Sequence, residues 1–297
     1  MKLNLRISIA VLLTVLLVAC HSTDPLYHPE KAQGWESRTL PAAENSPLVH
    51  RAFLIGDVGQ PRTDGTDPIL NLLKRKLDAA GKESSVTFLG NNVYPKGLPD
   101  EEDSTYLEAK EYLDAQLAAV QAYAGKVVFI PGNHDYNKSG RGGHEAGLRQ
   151  EKYVEKYLEA GDTFLPNGGC PGPEVVPLAD GVVMLVINSE WWLTRHQNRK
   201  TKGCEIKTEL EFITELNEVL KDHRMDRIVV EAHHPIQSLG KHGGHFPLKE
   251  HLFPLRLVNE KLLIPFPVLG SLYPYYRKFL GHPQDIIHPR YQLYIDN

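Results

Sequence analysis

The chain has 297 residues, a formal charge of −4, 41% apolar residues and 24% charged residues. These values are typical of folded domains and exclude collagen-like, coiled-coil and wholly disordered chains. The 33 basic residues do not exceed the 37 acidic ones, so nothing in the charge favours nucleic acid as a partner, and 3 cysteines are too few for a disulfide framework.

The first 20 residues have the pattern of an export signal. Lys2 and Arg6 precede an apolar run over residues 7–19, which is shorter than the roughly 20 residues that a membrane-spanning helix needs. The run ends in Leu17-Val18-Ala19-Cys20, which resembles the lipobox of bacterial lipoproteins. The resemblance implies that Cys20 is lipidated and becomes the first mature residue. An ordinary signal peptide with a coincidental cysteine, or a short anchor, is the alternative.

These features predict three segments and a location. Residues 1–19 are the lipoprotein signal peptide, 20–48 a polar tether and 49–297 the folded domain. The protein is expected in the bacterial cell envelope, attached to the membrane through its lipid and facing the periplasm or the outside. Cys170 and Cys204 could pair in such an oxidising compartment, but the sequence does not place them within bonding distance.

From residue 49 onward, short β-rich runs alternate with helical stretches, which is the pattern of an α/β domain. The helices follow from apolar periodicity, and Asp67 is expected to cap the first of them, in which Ile69, Leu72, Leu73 and Leu77 share one face. Trp191 and Trp192 are expected to pack at a sheet edge, and residues 264–289 to form an irregular excursion. The predicted strands are Ala52–Ile55, Val86–Leu89, Val127–Ile130, Val182–Ile187 and Arg227–Val230, and the later helices span residues 106–120, 145–158 and 206–220.

Four of these strands run directly into short polar clusters. The clusters are Gly56-Asp57-Val58-Gly59, Gly90-Asn91-Asn92-Val93-Tyr94-Pro95, Pro131-Gly132-Asn133-His134-Asp135-Tyr136 and Glu231-Ala232-His233-His234-Pro235. Ligands of α/β folds bind outside the carboxyl ends of strands, so the four clusters are expected to converge on one crevice. Their Asp, Asn, Tyr and His side chains suit Mn, Zn or Fe rather than Ca. Each cluster alone could be a simple turn, and their conjunction carries the prediction.

The order of these clusters resembles the calcineurin-like metallophosphoesterases, and specifically their purple acid phosphatase branch. Gly59 stands where most relatives have histidine, and Tyr94 matches the tyrosine of the ferric site in that branch. The likeness runs from Leu54 to about Phe253 and includes Lys241-His242-Gly243. It implies a four-layer αββα sandwich of two mixed sheets with helices on both outer sides.

The resemblance implies a hydrolase that acts on a small phosphoester with two metal ions. Asp57 and Tyr94 would bind the first ion, Fe(III), while Asn133 and His233 would bind the second, a divalent Fe, Zn or Mn ion. A metal-bound hydroxide would attack phosphorus in line while both cations neutralise the phosphoryl oxygens. His134 would be the catalytic residue that stabilises the transition state or protonates the leaving oxygen.

Three further residues are expected at the rim of the substrate site. Arg141 belongs to a basic glycine-rich loop just after the Asn-His-Asp cluster, and a solvated loop is the alternative to a substrate contact. His234 and His242 are assigned to the same rim from the resemblance.

The chain departs from the family pattern in two places. Asn91 stands where the family has the aspartate that bridges both metals, and a neutral amide offsets no repulsion between cations. Asn92 or a nearby carboxylate is the alternative that would compensate. No Gly-His-x-His turn follows His234, so the domain is expected to be C-terminally incomplete and to lack its last strands. A catalytically impaired homologue or fragment that binds phosphate or a partner is therefore the competing function.

Overall fold

The computed structural model describes residues 48–194, 199–238, 241–244, 246–259, 261–266 and 268–296. They fall into one unit that ends at Pro235 and a C-terminal unit that begins at Ile236. The predicted signal peptide, Cys20 and nearly all of the predicted tether lie outside the described residues.

The first sheet confirms the three strands predicted closest to the N-terminus. Strands β1 (Arg51–Ile55), β2 (Ser84–Phe88) and β3 (Lys126–Phe129) lie in the order β1-β2-β3 and are parallel. Val86 pairs with Phe53 on one side and with Val127 on the other. Because all three strands run the same way, their carboxyl ends and the polar clusters that follow lie at one edge of the sheet.

Three helices pack on the outer face of this sheet: α1 (Pro68–Asp78), α2 (Tyr106–Val120) and α3 (Gly143–Leu158). The Asp67 carboxylate caps α1 as predicted and accepts hydrogen bonds from the backbone N–H groups of Ile69 and Leu70. The predicted inner face of α1 was wrong at two positions, because Leu70 is buried while Ile69 and Leu72 are exposed. Pro68 is the first helical residue, and the packing of α1 against the sheet buries Leu70, Leu73 and Leu77.

The second sheet contains β4 (Glu174–Ala179), β5 (Val182–Val186) and β6 (Arg227–Glu231). Strand β4 is antiparallel to β5, and β5 is parallel to β6, so this sheet is mixed, whereas the first described sheet is parallel throughout. The sequence prediction missed β4 because Pro177, which cannot donate to a ladder, interrupts its pattern. A proline is tolerated there because β4 lies at the sheet edge.

The two sheets pack against each other through apolar side chains, which gives the predicted α/β sandwich. Val128 of β3 and its neighbour Ile130 meet Met184 and Val186 of β5, and all four are fully buried. The same edge that carries the polar clusters of the first sheet therefore lies beside the end of β6.

Helices α4 (Ser189–Leu193) and α5 (Glu209–Asp222) follow the second sheet. Helix α5 begins later than predicted because Thr208 and Glu211 form a capping box, which fixes its first turn beyond Ile206. Trp191 and Trp192 lie in α4, are almost fully buried and pack against Phe212 of α5. A disulfide joins Cys170 to Cys204, which decides the pairing that the sequence left open.

The C-terminal unit contains α6 (Leu248–Leu252), α7 (Leu272–Leu280) and α8 (Pro289–Asp296). Helix α7 corrects the prediction that residues 264–289 are irregular throughout. Burial disfavours the charged form of Asp285, but hydrogen bonds from His242 and Arg277 outweigh it and lower its pKa to about 2.

Among the helices of the described residues, none has the length and apolar character needed to cross a membrane.

Candidate metal centre

The ends of the strands approach so closely that two positions admit only glycine. A Cβ on Gly90, which has φ +90°, would lie 2.6 Å from the backbone nitrogen of Gly132 and 2.8 Å from Nδ1 of His233. A Cβ on Gly132 would lie 2.4 Å from the backbone nitrogen of Asn91. The clusters after β2, β3 and β6 therefore converge, as the sequence predicted.

The cluster after β1 joins them through the backbone and side chain of Asp57. Its N–H donates to the carbonyl oxygen of Gly90 at 3.1 Å, and its φ is +58°, which turns the chain sharply after the strand. The Tyr94 hydroxyl donates to Oδ1 of Asp57 at 2.7 Å. Asp57 and Tyr94 therefore lie in direct contact, as the first predicted metal site requires.

Asn91 lies between these two side chains, and its amide has a defined orientation. Its Oδ1 accepts a hydrogen bond from the backbone N–H of His134 at 2.9 Å. Because a backbone N–H can only donate, the amide oxygen must face it and the amide nitrogen must face the opposite way. The nitrogen donates to Oδ1 of Asp57 at 2.8 Å and to the Tyr94 hydroxyl at 3.2 Å. Asn91 thus directs N–H groups at the atoms that would bind the first ion.

Tyr94 is held as a neutral phenol in this arrangement. Burial raises its pKa well above the usual value, and the hydrogen bond and negative charge of Asp57 raise the pKa further. Its backbone N–H donates to the carbonyl oxygen of Gly59 at 2.9 Å. A Cβ at Gly59 would lie 2.4 Å from the carbonyl oxygen of Asn91, so the histidine of most relatives has no space here.

His134 presents one ring nitrogen to the crevice. Its Nδ1 lies 2.8 Å from the carbonyl oxygen of Pro95, which requires the proton on Nδ1 and leaves a lone pair on Nε2. The ring stands edge-on to Tyr94, with centroids 4.5 Å apart. Burial lowers the pKa of His134 and outweighs the opposing effect of the Pro95 carbonyl. The imidazole is therefore neutral and oriented by its backbone contact.

His233 and Asn133 form the other half of the site. His233 Nδ1 lies 2.7 Å from the carbonyl oxygen of Leu89, and its Nε2 lies 3.3 Å from Oδ1 of Asn133. Burial lowers the pKa of His233. Nε2 of His233 and Oδ1 of Asn133 lie close enough to bind the same cation. A backbone carbonyl on the other ring nitrogen is the usual support of a metal-binding histidine.

The two halves of the site differ in how well they fit a metal ion. Oδ1 of Asn133 and Nε2 of His233 are ligand types that fit a divalent ion, whereas the oxygens of Asp57 and Tyr94 accept hydrogen bonds from the Asn91 amide nitrogen. In the part of the chain that the structure describes, no three His, Cys, Asp or Glu side chains group around a metal position. A metal site here depends on Asn and Tyr as well as on Asp and His.

Asp135 is a supporting residue to which sequence reasoning assigned no role. It is fully buried and accepts hydrogen bonds from the backbone N–H groups of Asn92, Val93 and Gly132 at 2.8–3.2 Å. Burial raises its pKa to about 6 against the opposing effect of these hydrogen bonds. The carboxylate ties the loop after β2 to the loop after β3. An aspartate within the polar loop that follows a buried strand, where backbone N–H groups need acceptors, was the available signal.

The three residues expected at the rim have different positions. Arg141 is exposed and lines a cavity of about 490 Å³. His234 is buried instead of lying at a rim, because Ser189 Oγ lies 2.8 Å from its Nδ1 and its ring packs edge-on to His233 at 4.8 Å. His242 belongs to the C-terminal unit, where its Nδ1 lies 3.0 Å from Asp285, and its place at a rim stays a prediction.

Comparison with known proteins gives one match. The family profile described as calcineurin-like phosphoesterase matches residues 50–261, which is more than two thirds of the chain. No curated protein and no solved structure matches the chain.

Proposed function

Since the chain belongs to the calcineurin-like phosphoesterases, a family of hydrolases that act on phosphoester bonds and use divalent metal ions, we propose that it is a phosphoester hydrolase of the purple acid phosphatase type. The observation that carries the proposal is the contact of Asp57 with Tyr94, together with the contact of Asn133 with His233. These are the side chains that a mixed ferric and divalent site would use, and its substrate is a small phosphoester.

The two metal positions of the proposed site differ in how strongly they would bind an ion. Asn133 and His233 would hold a divalent ion, while Asp57 and Tyr94 would hold a ferric ion, whose binding the Asn91 amide opposes. Bound ions supply positive charge against the phosphoryl oxygens and an activated water. The Gly-His-x-His motif that closes both sites in the family has no counterpart in the described residues.

His134 is the proposed catalytic residue. The Pro95 carbonyl holds the proton on Nδ1 and fixes the ring plane, so that Nε2 meets the substrate. From there it can hydrogen bond to a phosphoryl oxygen or, when protonated, give a proton to the leaving oxygen. The Tyr94 ring limits the rotation of the imidazole, since the two rings are in edge contact.

Replacing His134 by alanine is expected to lower kcat for para-nitrophenyl phosphate by a factor of about 10²–10⁴, the usual contribution of a positioned acid or base. The measurement uses metal-loaded protein, with metal content checked in each variant. His223→Ala is the matched control, because His223 caps α5 and pairs with Asp226 away from the crevice. An unchanged kcat in His134→Ala at unchanged metal content would remove this residue from the mechanism.

A second candidate function is phosphate binding without hydrolysis. The orientation of Asn91 favours it, since an amide nitrogen that donates to Asp57 and Tyr94 opposes the binding of a cation at the first site. One titration distinguishes the two functions. It measures the binding of inorganic phosphate and the turnover of a phosphoester in the presence of Zn²⁺, Mn²⁺ or Fe. Binding with no turnover under any metal supports the second candidate.

The location in the cell envelope is also part of the proposal. The lipobox-like residues at 17–20 support it, and so does the Cys170–Cys204 disulfide, because disulfides persist in oxidising compartments outside the cytosol. The lipid on Cys20 would hold the protein at the membrane surface, and the tether would separate the folded unit from it.

Changing Cys20 to alanine is expected to abolish incorporation of radiolabelled palmitate and to move the protein from the membrane fraction to the soluble fraction. Lipid attachment needs the thiol, and no helix of the described residues is long and apolar enough to cross a membrane. Ser22→Ala, two residues away, is the control and should keep the label. A labelled Cys20→Ala protein would contradict the lipoprotein assignment.

A further inference from the structure

The cavity of about 490 Å³ lies beside the proposed site and contains none of the proposed metal-binding residues. Its walls come from the loop that follows His134, the start of α3, helix α4 and the segment at residues 199–200. We call it the Arg141 cavity. Its principal lining residues are Ser139, Arg141, His144, Glu190, Trp191 and Lys200.

Two cations of this cavity have no carboxylate partner. Arg141 and Lys200 are both exposed, and neither makes an ion pair among the described residues. The third cation, Arg199, is already committed: it donates to Glu209 at 2.7 Å and stacks on the Trp191 ring with 4.1 Å between guanidinium carbon and centroid. Arg199 therefore builds the wall, and Arg141 and Lys200 are available to a ligand.

The start of one helix and one neutral donor without an acceptor also line the cavity. Helix α3, which has 16 residues, begins at Gly143 after a glycine that supplies no capping side chain. Trp191 is 5% exposed, and its indole Nε1–H has no hydrogen-bond partner in the part of the chain that the structure describes. A buried N–H group without an acceptor is unfavourable, and a helix N-terminus attracts negative charge. Both features favour a ligand with anionic oxygens.

The two acidic residues of the cavity do not cancel this preference. Glu190 is buried, accepts a hydrogen bond from Ser139 Oγ at 2.5 Å and lies 3.7 Å from Nε2 of His234. Glu145 is exposed on the first turn of α3 and also lines the cavity. The lining therefore has three cations, Arg141, Arg199 and Lys200, against two carboxylates, which leaves one positive charge in excess.

The same Glu190 contacts connect the cavity to the proposed site. Glu190 meets His234, whose ring packs against His233, and Ser139 lies in the loop that begins at His134. We propose that the Arg141 cavity binds a second anionic group, a carboxylate or a phosphate, on the leaving-group side of the phosphoester. The kinetic test of this inference rests on the proposed hydrolysis, whereas the equilibrium binding test does not.

The kinetic test compares 4-carboxyphenyl phosphate with 4-carbamoylphenyl phosphate, which differ in the charge of one substituent. The ratio of KM for the amide to KM for the carboxylate is expected to fall about tenfold in Arg141→Ala and in Lys200→Ala, the loss of one charged hydrogen bond. Lys202→Ala is the matched control, because Lys202 is an exposed lysine two residues away that does not line the cavity. An unchanged ratio in both cavity variants would overturn the proposal.

The binding test uses 4-phosphonobenzoate and 4-phosphonobenzamide, which no phosphatase hydrolyses, with calorimetry as the readout. The proposal is supported if the unaltered protein binds 4-phosphonobenzoate more tightly than 4-phosphonobenzamide, and if this preference is lost in Lys200→Ala and kept in Lys202→Ala. This outcome supports anion binding in the Arg141 cavity even if the protein shows no turnover. Equal binding of both compounds by the unaltered protein overturns it even if turnover is present. The failure of this inference and the failure of the proposed function are thus distinguishable.

Discussion

The Asn91→Asp variant is expected to bind more metal and to hydrolyse para-nitrophenyl phosphate faster than the unaltered protein. The change removes the N–H groups that Asn91 directs at Asp57 and Tyr94 and places a negative charge there. A carboxylate about 4 Å from a cation contributes about 4 kcal/mol per unit charge at an effective dielectric constant of 20, before its desolvation cost. We therefore expect metal affinity and rate to rise by a factor of about 10–100.

Three measurements make the Asn91→Asp prediction specific. Metal content per chain is determined after equilibration with Fe and Zn²⁺, the rate is measured on the same samples, and visible absorption reports a Tyr–Fe(III) bond. Asn217→Asp makes the same change of charge on the exposed face of α5 and should alter none of them. Tyr94→Phe in the Asn91→Asp background should remove the visible band. No gain in metal content or rate would show that the amide is not what limits this site.

The position of the site could be predicted from the sequence because strand ends and polar clusters coincide. Gly56, Gly90 and Gly132 each follow an apolar strand, and parallel strands place their carboxyl ends at one edge. No contact information was needed to expect Asp57, Tyr94, Asn133 and His233 to be near each other. The structure confirms that Asp57 contacts Tyr94 and that Asn133 contacts His233.

The direction of the hydrogen bonds could not be predicted, because it depends on groups outside the motifs. The sequence shows that Asn91 lacks a charge, but only the backbone N–H of His134 determines which way the amide points. In the same way, the sequence pairs His233 with His234 in one motif. The contact of His234 with Ser189, 45 residues away, decides that His234 is buried.

The errors in the fold have similar causes. Periodicity alone placed Ile69 and Leu72 on the inner face of α1, while the packing of the helix against the sheet buries Leu70, Leu73 and Leu77. Pro177 concealed β4, since a proline in a run of β-branched residues indicates a break unless the strand is known to lie at an edge. The inward face of α1 and the tolerance of Pro177 in β4 both depend on where the element lies in the assembled domain.

Replacing Asp135 by alanine is expected to lower the free energy of unfolding by about 3–5 kcal/mol. The substitution leaves the buried backbone N–H groups of Asn92, Val93 and Gly132 without an acceptor, and each such loss costs about 1–3 kcal/mol. The carboxylate is fully buried, so water does not replace it at the surface. Urea denaturation of metal-free protein measures the change without a contribution from metal binding.

The result must also appear locally, because a general loss of stability could have other causes. Amide hydrogen exchange at Asn92 and Val93 should become faster in Asp135→Ala than exchange in β5, since those two N–H groups lose their acceptor directly. Asp180→Ala, at the exposed turn between β4 and β5, is the matched control and should shift neither quantity. A loss below about 1 kcal/mol would mean that other acceptors satisfy the loop. The backbone N–H groups of Asn92, Val93 and Gly132, which position the neighbouring residues Asn91 and His134, would then have acceptors other than Asp135.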